Sequence, residues 1–198
     1  RAMHQIDSGV LREPSEQERR HSMLSEPHIS SLAAFASSLR QTDYFVPDFD
    51  PCDGGVDADI LFLFEKPGPK TAPPIGSGFI SRDNDDPTAE ATKSFMEQVG
   101  IDRARSVIWN VIPGWNQTIS IKREELRDGF AKLDLLLPKL PNLKTIVLVG
   151  RKAQSAETVL ARYGFRIVRS YHPSRRVKHS MRDRWEAIPH EWAKAKTP

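Results

Sequence analysis

Two short segments of this chain end in residues that could do chemistry. The apolar segment 58–64 runs directly into Glu65 and Lys66, which place a carboxylate beside an ammonium. The segment 165–169 leads through two residues into His172, whose imidazole changes charge near neutral pH. In an open α/β sheet, ligands bind in the crevice beyond the carboxyl ends of the strands. Charged and imidazole groups at two such ends predict a site for an anionic substrate.

The sequence between these segments predicts the elements that position them. Apolar runs bounded by glycine, proline or charged residues alternate with stretches of helical periodicity, which is typical of parallel strands joined by helices. The predicted strands are 58–64, 106–110, 144–149 and 165–169, and the predicted helices are 16–41 with a break near Pro27, 88–99, 121–137, 151–163 and a terminal helix. The pattern predicts an α/β fold, a three-layer α/β/α sandwich around a central, mainly parallel four-stranded sheet.

The length of 198 residues suits one filled core and is short for two. Residues 1–15 lack periodicity and are predicted to form a flexible N-terminal tail, and residues 16–198 a single domain. No apolar stretch approaches the roughly 20 residues that a membrane helix needs, and the N-terminus shows no basic-then-apolar leader. We therefore expect a monomer in the cytoplasm of a prokaryote, without membrane contact.

Basic charge is concentrated near the C-terminal end. Between residues 162 and 184, eight lysines and arginines stand against one aspartate, although the whole chain has a formal net charge of only +3. Clustered basic residues are the electrostatic signature of a polyanion partner such as a nucleic acid. A solvated helix face with clustered arginines is the alternative. The predicted contacts of a polyanion are Ser174, Arg175, Arg176 and Lys178.

Four motifs occur in an order typical of a known family. They are the strand end Phe64-Glu65-Lys66-Pro67-Gly68, the segment Gly76-Ser77-Gly78-Phe79-Ile80, the strand end Trp109-Asn110-Val111 and the loop Tyr171-His172-Pro173-Ser174. Together they resemble the uracil-DNA glycosylase superfamily from roughly residue 46 to the C-terminus. The likeness is greatest to the compact branch typified by thermophile enzymes that carry an iron–sulfur cluster. The resemblance implies an enzyme that hydrolyses the N-glycosidic bond of uracil in double- or single-stranded DNA and leaves an abasic site.

The resemblance also implies roles for particular residues. Phe79 would stack on the extruded base, Asn110 would read its edge through a donor and an acceptor, and Gly68 would lie against it. His172 would stabilise the negative charge that develops on the departing base. From the residues alone, two other interpretations stay open: Phe79 as a core side chain beneath a loop, and Asn110 as the cap of a turn.

The first motif departs from the family pattern at Lys66. That position usually holds Asp, Asn, Ala or Gly, and an ammonium is a poor activator of water. We assign water positioning to the preceding Glu65, which the iron–sulfur branch also carries. Lys66 then contacts a phosphate, joins an ion pair with a glutamate, or attacks the sugar as a Schiff-base nucleophile.

The last motif departs from the pattern as well. Family members often place an apolar wedge just after His-Pro-Ser, whereas this chain has Arg175 and Arg176 in that stretch. Arginine can stack between bases and can pair with phosphates. These side chains therefore either enter the duplex or bind the backbone, and the second case favours single strands.

Cys52 is the only cysteine of the chain, so it can form no disulfide within it. An iron–sulfur cluster needs four cysteine thiolates, and we therefore expect no cluster, no metal and no other cofactor in this protein. The six histidines show no metal-ligand spacing. Besides uracil excision, three functions stay open: excision of another deaminated or modified base, binding of damaged DNA with weak catalysis, and chemistry on a small nucleotide.

Overall fold

The structure, a computed structural model, describes residues 8–197. Residues 1–7 of the predicted tail lie outside the described residues. The rest of that segment is folded, because Val10–Arg12 forms a turn of 3-10 helix and the first α-helix begins at Pro14. Leu11 is only 1% exposed. Burial of this apolar side chain explains why the ordered structure begins before the predicted domain boundary at residue 16.

Within residues 8–197, six strands form two parallel sheets. Their bounds are β1 Asp48–Phe49, β2 Ile60–Phe64, β3 Phe79–Ile80, β4 Ser106–Asn110, β5 Thr145–Val149 and β6 Arg166–Ser170. The central sheet has the strand order β4-β2-β5-β6, and β1 pairs with β3 in a separate two-stranded sheet. The predicted parallel four-stranded sheet is confirmed. The sequence pattern does not predict β1 and β3, because two residues are too few to show a period.

The same described part of the chain contains eight α-helices. They are α1 Pro14–Ser22, α2 Ser30–Leu39, α3 Pro87–Val99, α4 Arg123–Leu136, α5 Arg151–Gln154, α6 Glu157–Leu160, α7 Arg175–Ser180 and α8 Arg182–Ala193. The predicted helix at 16–41 is interrupted near Pro27, as expected. The predicted helix at 151–163 is instead two short α-helices and a 3-10 turn. The predicted terminal helix is divided at Met181, whose φ of −140° is not helical.

Helices cover both faces of the central sheet. On one face, Phe62 of β2 contacts Trp192 of α8, with ring centroids 5.0 Å apart. Trp109 of β4 pairs with Leu63, the residue that follows Phe62. Because successive side chains of a strand alternate, Trp109 points to the face opposite that of Phe62. There its ring stacks on Phe49 at 4.4 Å and contacts Phe35 of α2 at 5.8 Å. The molecule is therefore the predicted three-layer α/β/α sandwich.

The carboxyl ends of the four central strands meet at one edge of the sheet. Phe64 pairs with Asn110, and Val149 pairs with Ser170, at the last positions of their ladders. In the sheet, β4 is the neighbour of β2 on one side, and β6 is the neighbour of β5 on the other side. The chain runs from β2 outward to β4, and from β5 outward to β6. The connections therefore diverge between β2 and β5. Open α/β sheets form a ligand-binding crevice at such a point.

Candidate active site

A cavity of about 540 Å³ opens at this edge of the sheet. Its volume is within the ~300–1,000 Å³ of sites that bind small molecules. It is lined by the end of β2 with the loop that follows, the segment 80–92, the end of β4 and the loop after β6. Half of the ten predicted site residues line it, namely Lys66, Gly68, Asn110, His172 and Arg175. The other half, Glu65, Phe79, Ser174, Arg176 and Lys178, are not part of its surface.

His172 lies on the loop after β6, and the carboxylates of Glu65 and Asp86 are near it. Burial lowers the pKa of its imidazole, and the nearby charges of Glu65 and Asp86 oppose that shift. The net direction is downward, so the imidazole is neutral at neutral pH and offers one N–H donor. The ring of Phe64 meets the imidazole edge-on, with centroids 5.8 Å apart. The structure therefore holds a neutral hydrogen-bond donor at the cavity surface.

Asn110 ends β4 and is 7% exposed. Its backbone is held in the ladder opposite Phe64. Its side chain lies on the cavity surface, and within residues 8–197 no hydrogen bond occupies the carboxamide. The alternative role as a turn cap thus has no hydrogen bond to support it. Because buried polar groups are normally paired, the donor and acceptor of this carboxamide suit a ligand in the cavity.

The aromatic ring at the cavity surface belongs to Phe64 and not to Phe79. Phe79 is 2% exposed in β3, where it pairs with Asp48. Its neighbour Ile80 lines the cavity, because successive side chains of a strand point to opposite sides. The structure therefore does not bring Phe79 to the place predicted for a base-stacking ring. The motif interpretation missed Phe64, although its position directly before Glu65 at a strand end was an available signal.

The ammonium of Lys66 donates three hydrogen bonds to residues that are distant in the sequence. Its Nζ donates to Asn116 Oδ1 at 2.8 Å and to the Ser120 carbonyl at 3.0 Å. It also donates to Glu125 Oε1 at 2.7 Å. These acceptors use all three N–H groups of an ammonium. A Schiff-base nucleophile needs a neutral amine with a free lone pair, so this geometry favours the ion pair among the three predicted roles.

Glu65 points into the crevice between β2 and β5. Its Oε2 accepts the backbone N–H of Lys152 at 2.8 Å, at the start of α5. Gly150 has a φ of 92° and lies so close that a Cβ there would be 2.9 Å from the carboxyl carbon of Glu65. Only glycine fits this combination of positive φ and close approach. The side chains of Glu65 and Lys66 therefore point in different directions, as expected of adjacent residues at a strand end. The negative charge of Glu65 acts on His172.

Asp86 is a functional candidate that the four motifs do not include. It caps α3, because its Oδ1 accepts the N–H of Ala89 at 2.8 Å and Pro87 takes the first helical position. It also lines the cavity, and its charge acts on His172. The available signal was an N-cap aspartate followed by proline, since a helix between parallel strands begins near their carboxyl edge. The site thus holds two carboxylates, Glu65 and Asp86, near one imidazole.

The predicted polyanion contacts lie at and after the beginning of α7. Ser174 caps this helix by accepting the N–H of Val177 at 3.3 Å, so its hydroxyl serves the helix. Arg175 lines the cavity, while Arg176 and Lys178 are exposed on α7. Cationic side chains therefore begin at the cavity and continue along the exposed surface of α7. An anionic chain is attracted to such a surface.

The sequence matches the family model described as the Uracil DNA glycosylase superfamily over residues 52–195, which is most of the chain. The chain belongs to the uracil DNA glycosylase superfamily. Membership assigns the protein to the DNA glycosylases as a class and makes DNA its binding partner. The motif resemblance to the superfamily is thereby confirmed.

A solved structure agrees with the superfamily fold. The NMR structure of a Methanosarcina acetivorans protein, provisionally named a uracil DNA glycosylase, matches with a TM-score of 0.50 and 18% sequence identity. The match covers 71% of this chain and 92% of that chain. At this identity the likeness shows the fold alone. The sequence matches no curated protein.

Other features of this superfamily member bear on cofactors and membranes. Among residues 8–197 no three or more histidine, cysteine or carboxylate side chains are grouped to hold a metal ion. Over the same residues, no helix is long and apolar enough to cross a bilayer. The single thiol, Cys52, is half-buried, and burial raises its pKa. One cysteine cannot supply the cluster ligands of the iron–sulfur branch.

Lys66→Ala is expected to keep measurable glycosylase activity and to lose stability. The Lys66 side chain is 5% exposed beside Glu125, so its removal leaves a largely buried carboxylate without its cation. The expected loss is about 1–3 kcal/mol in the free energy of unfolding. Chemical denaturation measures this loss, and borohydride reduction during turnover tests for a covalent adduct. An inactive Lys66→Ala variant, together with an adduct trapped on the parent, would instead assign Lys66 to a lyase mechanism.

Proposed function

We propose that this superfamily member removes uracil from DNA by simple hydrolysis and leaves an abasic site. The observation that carries the proposal is the Asn110 carboxamide, which lies on the cavity surface without a partner among the described residues. Uracil presents an N–H donor between two carbonyl acceptors, and a carboxamide can meet a neighbouring donor and acceptor at once. Phe64 and His172 line the same cavity. Together these side chains fit a flat pyrimidine with acceptor oxygens.

His172 is proposed to stabilise the departing base. When the bond between C1′ and the base nitrogen breaks, its electron pair stays with the base, and negative charge reaches a carbonyl oxygen. The imidazole N–H donates to that oxygen most strongly in the transition state, where the charge develops. Because burial lowers the pKa of His172, the imidazole acts as a neutral donor and the base leaves as an anion.

Glu65 is proposed to position the attacking water. With the base inside the cavity, the sugar remains at the mouth, so water approaches from beside the cavity and not through it. Glu65 lies in the crevice between β2 and β5, and the Lys152 N–H holds one of its oxygens. The carboxylate accepts a water proton as the water oxygen bonds to C1′, and its charge stabilises the cationic sugar. Lys66 anchors the loop that contains Asn116 and Ser120.

The DNA is proposed to lie along α7 and the beginning of α8. Arg175 is the link between the two parts of the site, because it lines the base cavity and starts the cationic surface of α7. The active form is proposed to be a monomer. An exposed basic surface beside a base pocket suits a double strand with one extruded base and also a single strand.

Changing Arg175 and Arg176 together to alanine is expected to weaken DNA binding and to flatten its salt dependence. Each lost phosphate contact lowers the slope of log affinity against log salt by about 0.7–0.9. Fluorescence anisotropy with a labelled oligonucleotide at several salt concentrations gives that slope. The matched control changes Arg162 and Arg166, which lie before and at the amino end of β6, away from the cavity edge. If the slope keeps the parent value, the α7 arginines do not touch the DNA backbone.

Asn110→Asp is expected to weaken excision of uracil relative to cytosine. The carboxylate keeps the acceptors and loses the donor, so it opposes a carbonyl of uracil and suits the amino group of cytosine. The discrimination should change by about 1–3 kcal/mol. Single-turnover assays on oligonucleotides with one uracil or one targeted cytosine measure it. An equal loss with every base would make Asn110 a structural residue.

Asp86 favours a second candidate substrate. Its carboxylate lies on the cavity surface and can only accept hydrogen bonds when ionised. An acceptor at this place suits a base with an exocyclic amino group, such as a modified cytosine. Oligonucleotides that contain uracil, hypoxanthine or a modified cytosine distinguish the candidates. Preferred release of the modified cytosine would support the second candidate, and preferred release of uracil the first.

A further inference from the structure

One wall of the cavity rests on buried charged side chains. The residues of this wall that line the cavity are Ser81, Arg82, Asn84 and Asp86. Behind them, Arg103 contacts Asp50 at 2.7 Å and Asp53 at 3.0 Å. It also contacts Asp83, inside the wall segment, at 2.6 Å. The position of the wall therefore depends on the cationic side chains that pair with these carboxylates.

Arg20 reaches the same carboxylates from α1. It is 4% exposed, and its Nη1 lies 2.8 Å from Asp50 Oδ2. Its Nη2 lies 2.9 Å from Asp83 Oδ2, and its Nε lies 2.9 Å from Glu16 Oε1 on its own helix. A planar guanidinium can join several carboxylates in fixed geometry. Arg20 thereby connects α1, the residue after β1 and the cavity wall.

The segment before α1 also contacts this wall through its backbone. The N–H of Leu11 donates to the Asp83 carbonyl at 3.1 Å. Gly9 has a φ of +76°, and a Cβ on it would lie 2.8 Å from Asp85 Oδ1 and 3.1 Å from the Asp85 Cα. Residues 9–20 thus lie directly against the segment 81–86, with a backbone hydrogen bond, a tight glycine contact and a buried ion pair.

The buried cluster tolerates little change in charge. Burial, together with the adjacent Asp50 carboxylate, raises the pKa of Asp53 to about 7. Further uncompensated negative charge is therefore unfavourable there. Removing one cation from a buried ion-pair network is unfavourable. Without Arg20, Asp50 keeps Arg103, and Asp83 keeps Arg103 and Lys93, but neither carboxylate is joined to α1. Loss of Arg20 is expected to move Asp83, and with it the wall.

We propose that Arg20 is a positioning residue for base excision, which holds the wall segment 81–86 in place through Asp50 and Asp83. The superfamily match begins at residue 52, so α1 lies outside it. The proposal rests on the proposed function, since it takes the cavity as the base site. The wall carries Asp86, whose charge acts on His172. A displaced wall therefore changes the rate of excision and leaves the cationic surface of α7 unchanged.

Arg20→Met, compared with Arg19→Met, tests this role. Arg19 is the adjacent residue, its side chain is 54% exposed, and it also pairs with Glu16. We expect Arg20→Met to lower the single-turnover rate on a uracil oligonucleotide by about 10- to 100-fold, because small misplacements in a site are costly. Its affinity for the oligonucleotide should stay at the parent value, and Arg19→Met should keep both. Equal rates in the two variants, or a loss of affinity that accounts for the loss of rate, would overturn the proposal.

Amide hydrogen exchange over residues 79–86 provides a readout that needs no activity. We expect faster exchange there in Arg20→Met than in Arg19→Met, with the strands of the central sheet unchanged. Gly9→Ala keeps every charge, but it places a Cβ at a φ of +76° and 2.8 Å from Asp85 Oδ1, so it should show the same local change. If Arg20→Met and Gly9→Ala both exchange residues 79–86 as slowly as the parent, the proposed role of Arg20 is refuted. If the parent removes no uracil, the proposed function fails, and the exchange comparison still decides whether Arg20 holds the wall.

Discussion

Replacing His172 by alanine is expected to lower the single-turnover rate of uracil excision by about 10²-fold or more. The imidazole donates to an oxygen whose charge appears only as the glycosidic bond breaks, so the loss falls on the rate and not on DNA affinity. Quenched-flow assays with enzyme in excess over a uracil oligonucleotide measure the rate, and anisotropy measures the affinity.

His179 provides the matched control for this variant. It lies seven residues further along the chain, exposed on α7, so His179→Ala should keep the parent rate. Because burial lowers the pKa of His172, any change of the parent rate with the charge of this imidazole should occur at a pH below the ordinary value for histidine. A rate that rises as the pH falls through that ordinary value would indicate a cationic imidazolium instead. An unaltered rate in His172→Ala would show that the loop after β6 is not catalytic.

Glu65→Gln is expected to lower the excision rate by about 10²–10⁴-fold, the contribution of a positioned general base. Glutamine has nearly the same shape, and its amide oxygen can still accept the N–H of Lys152, so the start of α5 keeps its geometry. What is lost is the basic oxygen that takes the water proton and the charge that stabilises the sugar cation. The same single-turnover assay measures the loss.

Asp86→Asn gives the informative comparison, because it removes the same charge from the other carboxylate near His172. Asp86 lines the base cavity, so this variant should lose less rate than Glu65→Gln and should change the preference among bases. If Asp86→Asn is instead the more damaging of the two, the attacking water is held by Asp86 and Glu65 serves to cap α5.

Much of the fold could be predicted because the central strands are buried along their length. In β2, β4 and β5 every residue is buried, which appears in the sequence as short apolar runs between turn residues. The division of the predicted helix 151–163 could not be predicted from local pattern. α5 ends where the Gln154 carboxamide donates to the Ser170 carbonyl at 2.9 Å, a contact with a strand that the local sequence does not contain.

The site was predictable where it follows the strand ends, and unpredictable where it depends on distant partners. Parallel pairing alone places Asn110 and His172 at one edge. The role of Lys66 depends on Glu125, which lies on another helix. The burial of Phe79 away from the cavity depends on β3, because the pairing of a two-residue strand decides which of its side chains faces the cavity. The ion pairs of Arg20 join segments that no local pattern connects.

The most direct test of uracil excision is a cleavage assay with end-labelled oligonucleotides that carry one uracil, one hypoxanthine or no altered base, each as a single and as a double strand. Hydrolysis of the glycosidic bond leaves the backbone intact, so we expect a shorter product only from the uracil strand and only after alkali treatment. Circular dichroism of the same preparation shows whether the enzyme is folded. Absence of any product from the uracil strands, with a folded enzyme and with alkali, would contradict the proposed function.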